Sequence, residues 1–570
     1  METTTPVKIT RTFNKWVNNP VLEDYALRYA PRSFRKFSES AVANSALGGI
    51  AFLANFAIGA SVTIAYGFSS AFWGILAAGL VIFLTGIPIS YYSAKYNVDM
   101  DLLTRGSGFG YLGSTLTSLV YATFTIIYFA TEGAILAQAL DLYFGIPLGV
   151  GYLIGAIVVI PIVTYGMTLL SRVQTWTQPL WIVLMIAPLI GILVKDPQSL
   201  AAWTNFGGNS PSGSAFNPLF FALSAGVVLS LITQIGEQVD YLRFMPERKL
   251  KNHKIWLWVV ILAGPGWVIL GAFNMLCGSL YASYIAPSVG LTAAVEPIQQ
   301  FIHGFGTFIP GTFLVLTIAT LFVVLSQMKI QVTNAYSGSL SWSNFFSRLL
   351  HFHPGRVAWL FLQVAIALAI MEAGMFNFLN AVLGFYSNVA VAWIGAIVSD
   401  LVVNKSILKI SPNYIEFKRA HLYNFNPVGF GSMIIASIVS IIAYFGLLGP
   451  VLQAFSPFLS LVLAFILAPI FAIATKGKYY IARENPMYAT NQETASTIHK
   501  PLEHGHNHVH SNNDGVETYT CSVCHYDYEQ EDMTFCPFHD GMICSLCCSL
   551  EKNCHDMCKT EKVLNDLSAK

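Results

Sequence analysis

The sequence predicts an all-α polytopic membrane protein of about twelve helical spans, with a small cysteine- and histidine-rich zinc module behind the last of them. Three observations carry this expectation. Only 11% of the 570 residues are charged while 54% are hydrophobic, against about a quarter charged in an ordinary soluble domain. Apolar runs of roughly 20 residues, the length that crosses a bilayer core, recur down the chain. Of nine cysteines, eight fall between Cys521 and Cys558, leaving Cys277 alone in an apolar run. The net charge of +1 offers no bulk attraction to nucleic acid.

Residues 1-41 form a polar, basic lead-in (Lys8, Arg11, Lys15, Arg28, Arg32, Arg35, Lys36) without the short apolar core of a secretory signal, so the first span is expected to direct insertion itself. The transmembrane domain is expected over 42-475, with spans near 42-66, 71-92, 112-140, 146-167, 176-194, 216-237, 255-281, 310-333, 357-374, 377-403, 428-448 and 450-474. Loops after even-numbered spans hold Arg172; Arg243, Arg248, Lys249, Lys251 and Lys254; Arg348 and Arg356; and Lys405, Lys409, Lys418 and Arg419. The intervening loops are almost free of Lys and Arg. By the positive-inside rule the basic loops are cytoplasmic, which puts both termini in the cytoplasm of a cell whose plasma (inner) membrane holds the chain.

Two spans carry residues that a plain helix bundle avoids. Span 1 contains Asn44, Gly48, Gly49, Asn55, Gly59 and Ser61, and span 6 contains Thr233, Gln234, Gly236, Glu237 and Gln238. Irregular backbone at membrane depth is tolerated only where protein or a wet cavity satisfies it, as in the broken helices of transporters. The simpler alternative is that these glycines only let helices pack closely.

Three stretches carry a resemblance: Thr104-Arg105-Gly106-Ser107-Gly108-Phe109-Gly110 after span 2, Asp240-Tyr241-Leu242-Arg243-Phe244 ending span 6, and Asn334-Ala335-Tyr336-Ser337-Gly338 ending span 8. In their order and placement they resemble the nucleobase:cation symporter family of purine/cytosine permeases and hydantoin transporters, over roughly residues 25 to 475. The resemblance implies a leucine-transporter-type core of two inverted five-helix repeats, with spans 11 and 12 outside it and a small-molecule substrate between spans 1, 3, 6 and 8. It implies an aromatic platform at Tyr128 and an amide at Asn334. The family's span 3 amide becomes Glu132, and its span 6 tryptophan is missing, its place falling near Ser230 or Leu231.

Glu132 sits in an apolar stretch, where an ionised acid costs about 2.5 to 3.5 kcal/mol on insertion scales. It is expected to bind a proton or substrate, or to pair with Lys329; the plain alternative is a paired or protonated structural acid. Aligned back from Asn334, Lys329 stands where sodium-dependent relatives carry a threonine ligand, so a fixed ammonium would replace sodium between spans 1 and 8. Alternatively, it snorkels to the interface. Gln331, with Gln327 and Thr333, is expected to line the same cavity. Asp240 and Arg243, one turn apart, are read as a cytoplasmic gate, and Glu237 as a weaker candidate for the permeation path.

Residues 476-515 are read as a flexible linker with His499, His504, His506, His508 and His510, and 516-562 as the zinc module. Its pairs are Cys521 and Cys524, Cys536 and His539, Cys544 and Cys547, and Cys554 and Cys558. Four pairs suffice for two structural, tetrahedral zinc ions, and a reducing cytoplasm disfavours disulfides. A cross-brace would join the first pair to the third and the second to the fourth; Cys548, His525 and His555 are spare ligands. The leading functional expectation is secondary transport of a nitrogen heterocycle, coupled to protons or independent of sodium, with a regulatory tail. The alternatives are a transporter-derived receptor signalling through the tail to a separate cytoplasmic protein, and a metal-handling protein using the histidines.

Overall fold

The computed structural model describes residues 22–249, 252–485 and 517–560, together with Trp16, Val17, Asn19, Met487 and the strand Val509–Ser511. The basic residues Lys8, Arg11, Lys15 and Lys251 and the histidines from His499 to His508 lie outside these described residues. Each of the twelve expected runs is helical. Span 1 is Glu39–Gly48 and Ala54–Tyr66, span 2 Phe68–Tyr96, span 3 Ser114–Phe144, span 4 Leu148–Thr164, span 5 Gly166–Lys195 and span 6 Pro218–Leu242. Span 7 is His253–Ala263 with Trp267–Val289, span 8 Thr312–Leu350, span 9 Arg356–Glu372, span 10 Leu379–Ile407, span 11 Pro427–Tyr444 and span 12 Ser456–Ala474.

Span 1 is discontinuous between Gly48 and Ala54, whereas span 6 stays helical but tightens into a 3₁₀ turn over Ser230–Thr233. The glycines of span 1 serve both ends considered above. Gly49 lies at the break, while a Cβ on Gly59 would meet the Met275 carbonyl oxygen of span 7 at 1.9 Å.

Packing follows an inverted repeat. Span 1 packs on span 7 and span 2 on span 6, the same contact once repeats are exchanged; spans 3 and 4 mirror spans 8 and 9, and span 3 lies against its own mate, span 8. Five helices per repeat is an odd number, so the second repeat enters the membrane from the opposite side. Spans 11 and 12 pack outside, on span 10. The outward faces are apolar, with Leu80, Leu84, Ile157, Val183, Val194, Ile466 and Ile473 exposed, as a lipid-facing surface requires.

The interior is polar where span 8 runs on past Thr333, the residue at which hydropathy ends it. Ser337, Ser339, Ser341, Ser343, Asn344 and Arg348 continue the helix and are all buried. At this end Gly108 and Gly110 both take φ of +81°, a conformation open to glycine, and a Cβ on Gly110 would lie 2.7 Å from the Tyr423 carbonyl oxygen. The glycine-rich turn thus sits directly on the loop before span 11.

Behind span 12, residues 476–485 are packed rather than loose: Asn485 donates to Glu416 at 2.6 Å, Arg483 donates to the Phe535 carbonyl at 2.9 Å, and Tyr480 donates to Asp400. The tail is a three-stranded antiparallel sheet, β1 (Val509–Ser511), β2 (Glu517–Thr520) and β3 (Asp527–Glu529), then a hairpin, β4 (Met533–Cys536) and β5 (Gly541–Cys544), and a short helix, Ser545–Leu550. Strand β1 lies within the stretch read as linker, so the folded tail begins earlier than its cysteines suggest.

Candidate functional site

Breaking span 1 leaves the first amides of Ala54–Tyr66 without intrahelical partners, and the end of a half-helix carries partial positive charge. Glu132 of span 3 answers this: its carboxylate accepts from the Ala54 amide at 3.1 Å, and its other oxygen has no partner. The acid is fully buried. Beside it stands the Gln327 amide of span 8, neither atom of which is otherwise bonded.

Tyr128, one helical turn before Glu132, is buried between Phe52, in the break, at 5.2 Å and Phe124 at 4.6 Å between ring centroids. Its hydroxyl shares a 2.9 Å hydrogen bond with Ser230 in the 3₁₀ turn of span 6. The two irregular segments therefore meet at one aromatic side chain. Asn334 is buried with both amide atoms unpartnered. Phe52 was missed by sequence reasoning, because only the break itself turns it toward Tyr128.

Other expected members stand elsewhere. Gln331 faces spans 3 and 4, where a Cβ on Gly133 would meet its amide nitrogen at 3.2 Å. Lys329 neither pairs with Glu132 nor snorkels; its ammonium donates to the Gln174 carbonyl at 3.0 Å and the Thr177 hydroxyl at 2.8 Å, both on span 5. Gln174 in turn donates to the Lys329 carbonyl at 2.7 Å and to Thr333 at 3.4 Å, and Gln174 and Thr333 flank Gly48 and Gly49. The lysine thus braces the span 5–span 8 contact next to the break. Glu237 accepts from Gln234 at 2.6 Å within its own helix.

Asp240 and Arg243 do not form the direct pair their spacing suggests. Asp240 accepts from Tyr121 at 3.0 Å and Ser337 at 2.6 Å, while Arg243 reaches Asp99 at 3.4 Å, the Tyr336 hydroxyl at 2.7 Å and the Tyr25 carbonyl at 3.2 Å. With Asp101, Arg105 and Arg348 they form a cluster of three acids and three arginines, each 2% exposed or less. Charge balance is what makes such burial tolerable.

In the tail, Cys521, Cys524, Cys544 and Cys547 converge, their sulfur atoms all within 4.8 Å of one another. Cys524 and Cys544 are 3.9 Å apart, close to the roughly 3.8 Å edge of a tetrahedral zinc–thiolate site. The Cys544 amide donates to Cys521 and the Cys547 amide to Cys544, each at 3.3 Å. The donor set fits one zinc ion, joining the first and third pairs. Among the described residues this is the one compact cluster. His539 turns to Glu551 at 3.1 Å, whereas Cys536, Cys548, Cys554 and Cys558 line a cavity of about 10 Å³.

No family model matches the chain, and no curated protein does. Solved structures do. Mhp1, described as a nucleobase-cation-symport-1 family transporter in a closed conformation with bromovinylhydantoin bound, superposes with a TM-score of 0.57 at 15% identity, over 81% of this chain and 100% of that one. Its inward-facing conformation gives 0.55 at 13% identity, covering 86% and 99%. A Na+-coupled sialic acid symporter in a substrate-bound outward-open state gives 0.53 at 16%, covering 80% and 93%. These are structures of two transporters, and likeness at such identity establishes the fold: this chain is a mostly helical polytopic membrane protein of the leucine-transporter type with a four-cysteine cluster near its C-terminus.

Proposed function

We propose that the protein is a secondary transporter of a nucleobase-like nitrogen heterocycle, neutral or cationic, working by alternating access. The observation that carries this reading is Glu132 on the Ala54 amide. In this fold a half-helix N-terminus can receive an anionic group of the substrate; here the chain supplies its own carboxylate, so a second negative charge would be repelled. The rings of Tyr128 and Phe52, tilted 41° to each other, offer aromatic faces to a flat ligand, and the unpartnered atoms of Glu132, Gln327 and Asn334 suit one with donors and acceptors on its edge. Gln331 is retained as an outer substrate contact through span 3.

Glu132 is the proposed proton carrier, and Lys329 the fixed charge that makes sodium unnecessary beside the break. Asp240 and Arg243, with Asp99, form the gate at the basic end, which the loop charges place in the cytoplasm of a plasma (inner) membrane protein. The tail is a zinc-stabilised regulatory module; a second zinc would use Cys536, Cys554 and Cys558 with Cys548 in place of His539.

The test is reconstitution of the full chain in liposomes and uptake of labelled nucleobases, hydantoins and allantoin under separate proton and sodium gradients. Proton-driven uptake indifferent to sodium, abolished in Glu132→Gln, supports the reading. Saturable binding without uptake favours the receptor, a reading supported by the tail's attachment to the gate-bearing end of the bundle.

A further inference from the structure

The basic end of the bundle is closed by two layers that meet. The inner layer is the lead-in, residues 22–35. Glu23 accepts from the Met167 amide at 2.5 Å at the start of span 5, and Asp24 from the Arg356 amide at 2.7 Å at the start of span 9. The Tyr25 carbonyl accepts from Arg243 of span 6 at 3.2 Å and the Ala26 carbonyl from Asn344 of span 8 at 2.7 Å. The lead-in therefore crosses the ends of four spans before it enters span 1.

The outer layer is the tail. Arg28 pairs with Asp532 at 2.7 Å and lies over the Tyr528 ring at 4.6 Å; the Arg32 amide donates to Glu529 at 2.8 Å, and Tyr29 donates to the same carboxylate. On its other side the tail grips the loop before span 11. Lys418 donates to the Glu531 and Met533 carbonyls at 3.2 Å each, and Arg419 pairs with Asp556 at 2.9 Å and donates to the Cys548 carbonyl at 3.1 Å. Basic side chains of the core meet acids and carbonyls of the tail throughout.

Asp532 and the Cys548 carbonyl among these are tied directly to the cysteine cluster. Helix Ser545–Leu550 starts from Cys544, contains Cys547, and presents Cys548 and Ser549 to the core; its Ser545 hydroxyl donates to Asp532, the partner of Arg28. A tail of some forty residues with strands of three or four residues buries too little to hold this shape unaided.

We infer that the four-cysteine centre is the switch of an intramolecular latch: metal-loaded, the tail straps the lead-in of span 1 to the loop before span 11 and keeps the basic end shut; without metal, both are released. The inference rests on the transport reading only for its consequence, since the latch itself is read without measuring transport. Opening this end requires span 1 and its lead-in to part from spans 5, 6, 8 and 9, and the latch holds the lead-in in place.

Hydrogen exchange on the full chain in detergent tests it, comparing zinc-loaded protein, chelator-treated protein and the variant Arg28→Ala/Arg419→Ala. The Arg32 amide, bonded directly to Glu529, reports the latch itself. Expected is a rise of about tenfold or more in exchange over 25–34 and 417–424 after zinc removal, and the same rise in the double variant while it keeps one zinc per chain. Exchange over 25–34 that stays unchanged when the tail's own amides are freed by chelation overturns the proposal, as does a double variant with full protection. Absence of uptake by the wild-type chain, zinc-loaded and zinc-free alike, with these exchange results intact would instead count against the transport reading.

Discussion

Gly59→Ala tests how spans 1 and 7 meet. A Cβ there would stand 1.9 Å from the Met275 carbonyl oxygen, 2.5 Å from its carbon and 2.7 Å from its Cα, all backbone. Across the same contact a Cβ on Gly278 would lie 2.2 Å from the Phe56 carbonyl oxygen. No rotamer relieves a backbone clash, so the helices must separate by about 1.5 Å to reach ordinary contact near 3.4 Å. Overpacking costs about 1–3 kcal/mol and sometimes more, and separation also forfeits dispersion along the contact. Alanine returns about 1 kcal/mol of helix propensity. The expected net loss is therefore about 2 kcal/mol, a thermal midpoint lower by several degrees, measured in detergent by the temperature at which the monodisperse peak is lost. Gly79→Ala is the control: its Cβ would meet only Ala272 and Val268 side chains at 3.9 Å, so its midpoint should hold or rise. Equal midpoints for wild type and Gly59→Ala, or an equal loss in Gly79→Ala, would refute the reasoning.

Asp99→Asn removes the carboxylate 3.4 Å from Arg243, itself fully buried; leaving that charge short of a partner is expected to cost about 3–5 kcal/mol, read as the largest midpoint loss of the set. Cys521→Ser should abolish stoichiometric zinc by elemental analysis, while His539→Ala leaves the first ion in place because that ring bonds Glu551 instead. His421 bridges the Arg483 carbonyl at 3.0 Å and Thr534 at 2.9 Å, and burial, helped by Lys418 and Arg483 against Glu416, pushes it down to about 3. Its folded form is neutral, so its contribution is complete above about 6.5 and is lost as pH falls toward 3, by about 2 kcal/mol at pH 5. Hydrogen exchange over 417–424, corrected for intrinsic rates, should rise between pH 7 and 5 in wild type and stay flat in His421→Gln.

Nine helices among the described residues have the length and apolarity that lipid imposes, whereas the broken span 1 and the 17-residue spans 4 and 9 fall short of that length and are legible only as apolar runs. The end of span 8 was not legible: hydropathy stops at Thr333, yet the helix runs to Leu350 because its serines and Asn344 bury against the acids and arginines of the cluster and against the lead-in rather than meeting water. Glu132 was legible as a buried acid, but its partner, the Ala54 amide, exists only once the helix breaks. The buried cluster of acids and arginines was half legible: spacing on one helix suggests Asp240 with Arg243, while Asp99, more than a hundred residues earlier, makes the contact. The height of Lys329 beside the break is legible in the sequence, but the neighbours its ammonium reaches, the Gln174 carbonyl and Thr177 of span 5, are not. In the tail, spacing gave the pairing of the first and third cysteine pairs, whereas the turn of His539 toward Glu551 depends on a residue outside every motif.

Of the basic residues expected to orient the chain, Lys418 and Arg419 also hold its tail. Lys418, Arg419, Arg348 and Arg356 were read as loop charges, which the positive-inside rule treats as solvated, yet none is more than 7% exposed. Arg356 donates to the Leu22 carbonyl at 2.9 Å, Arg348 to the Tyr111 carbonyl at 3.2 Å, and Lys418 and Arg419 to the tail. Removing them to test orientation would confound topology with release of the tail. Arg172 is exposed and separates the two effects. Arg172→Ala withdraws one charge from the orienting set and should leave exchange at the Arg32 amide untouched, whereas Arg419→Ala withdraws one charge and should raise it. If both variants raise it equally, the tail is answering to the charge of the basic end as a whole and not to the contacts of Arg419.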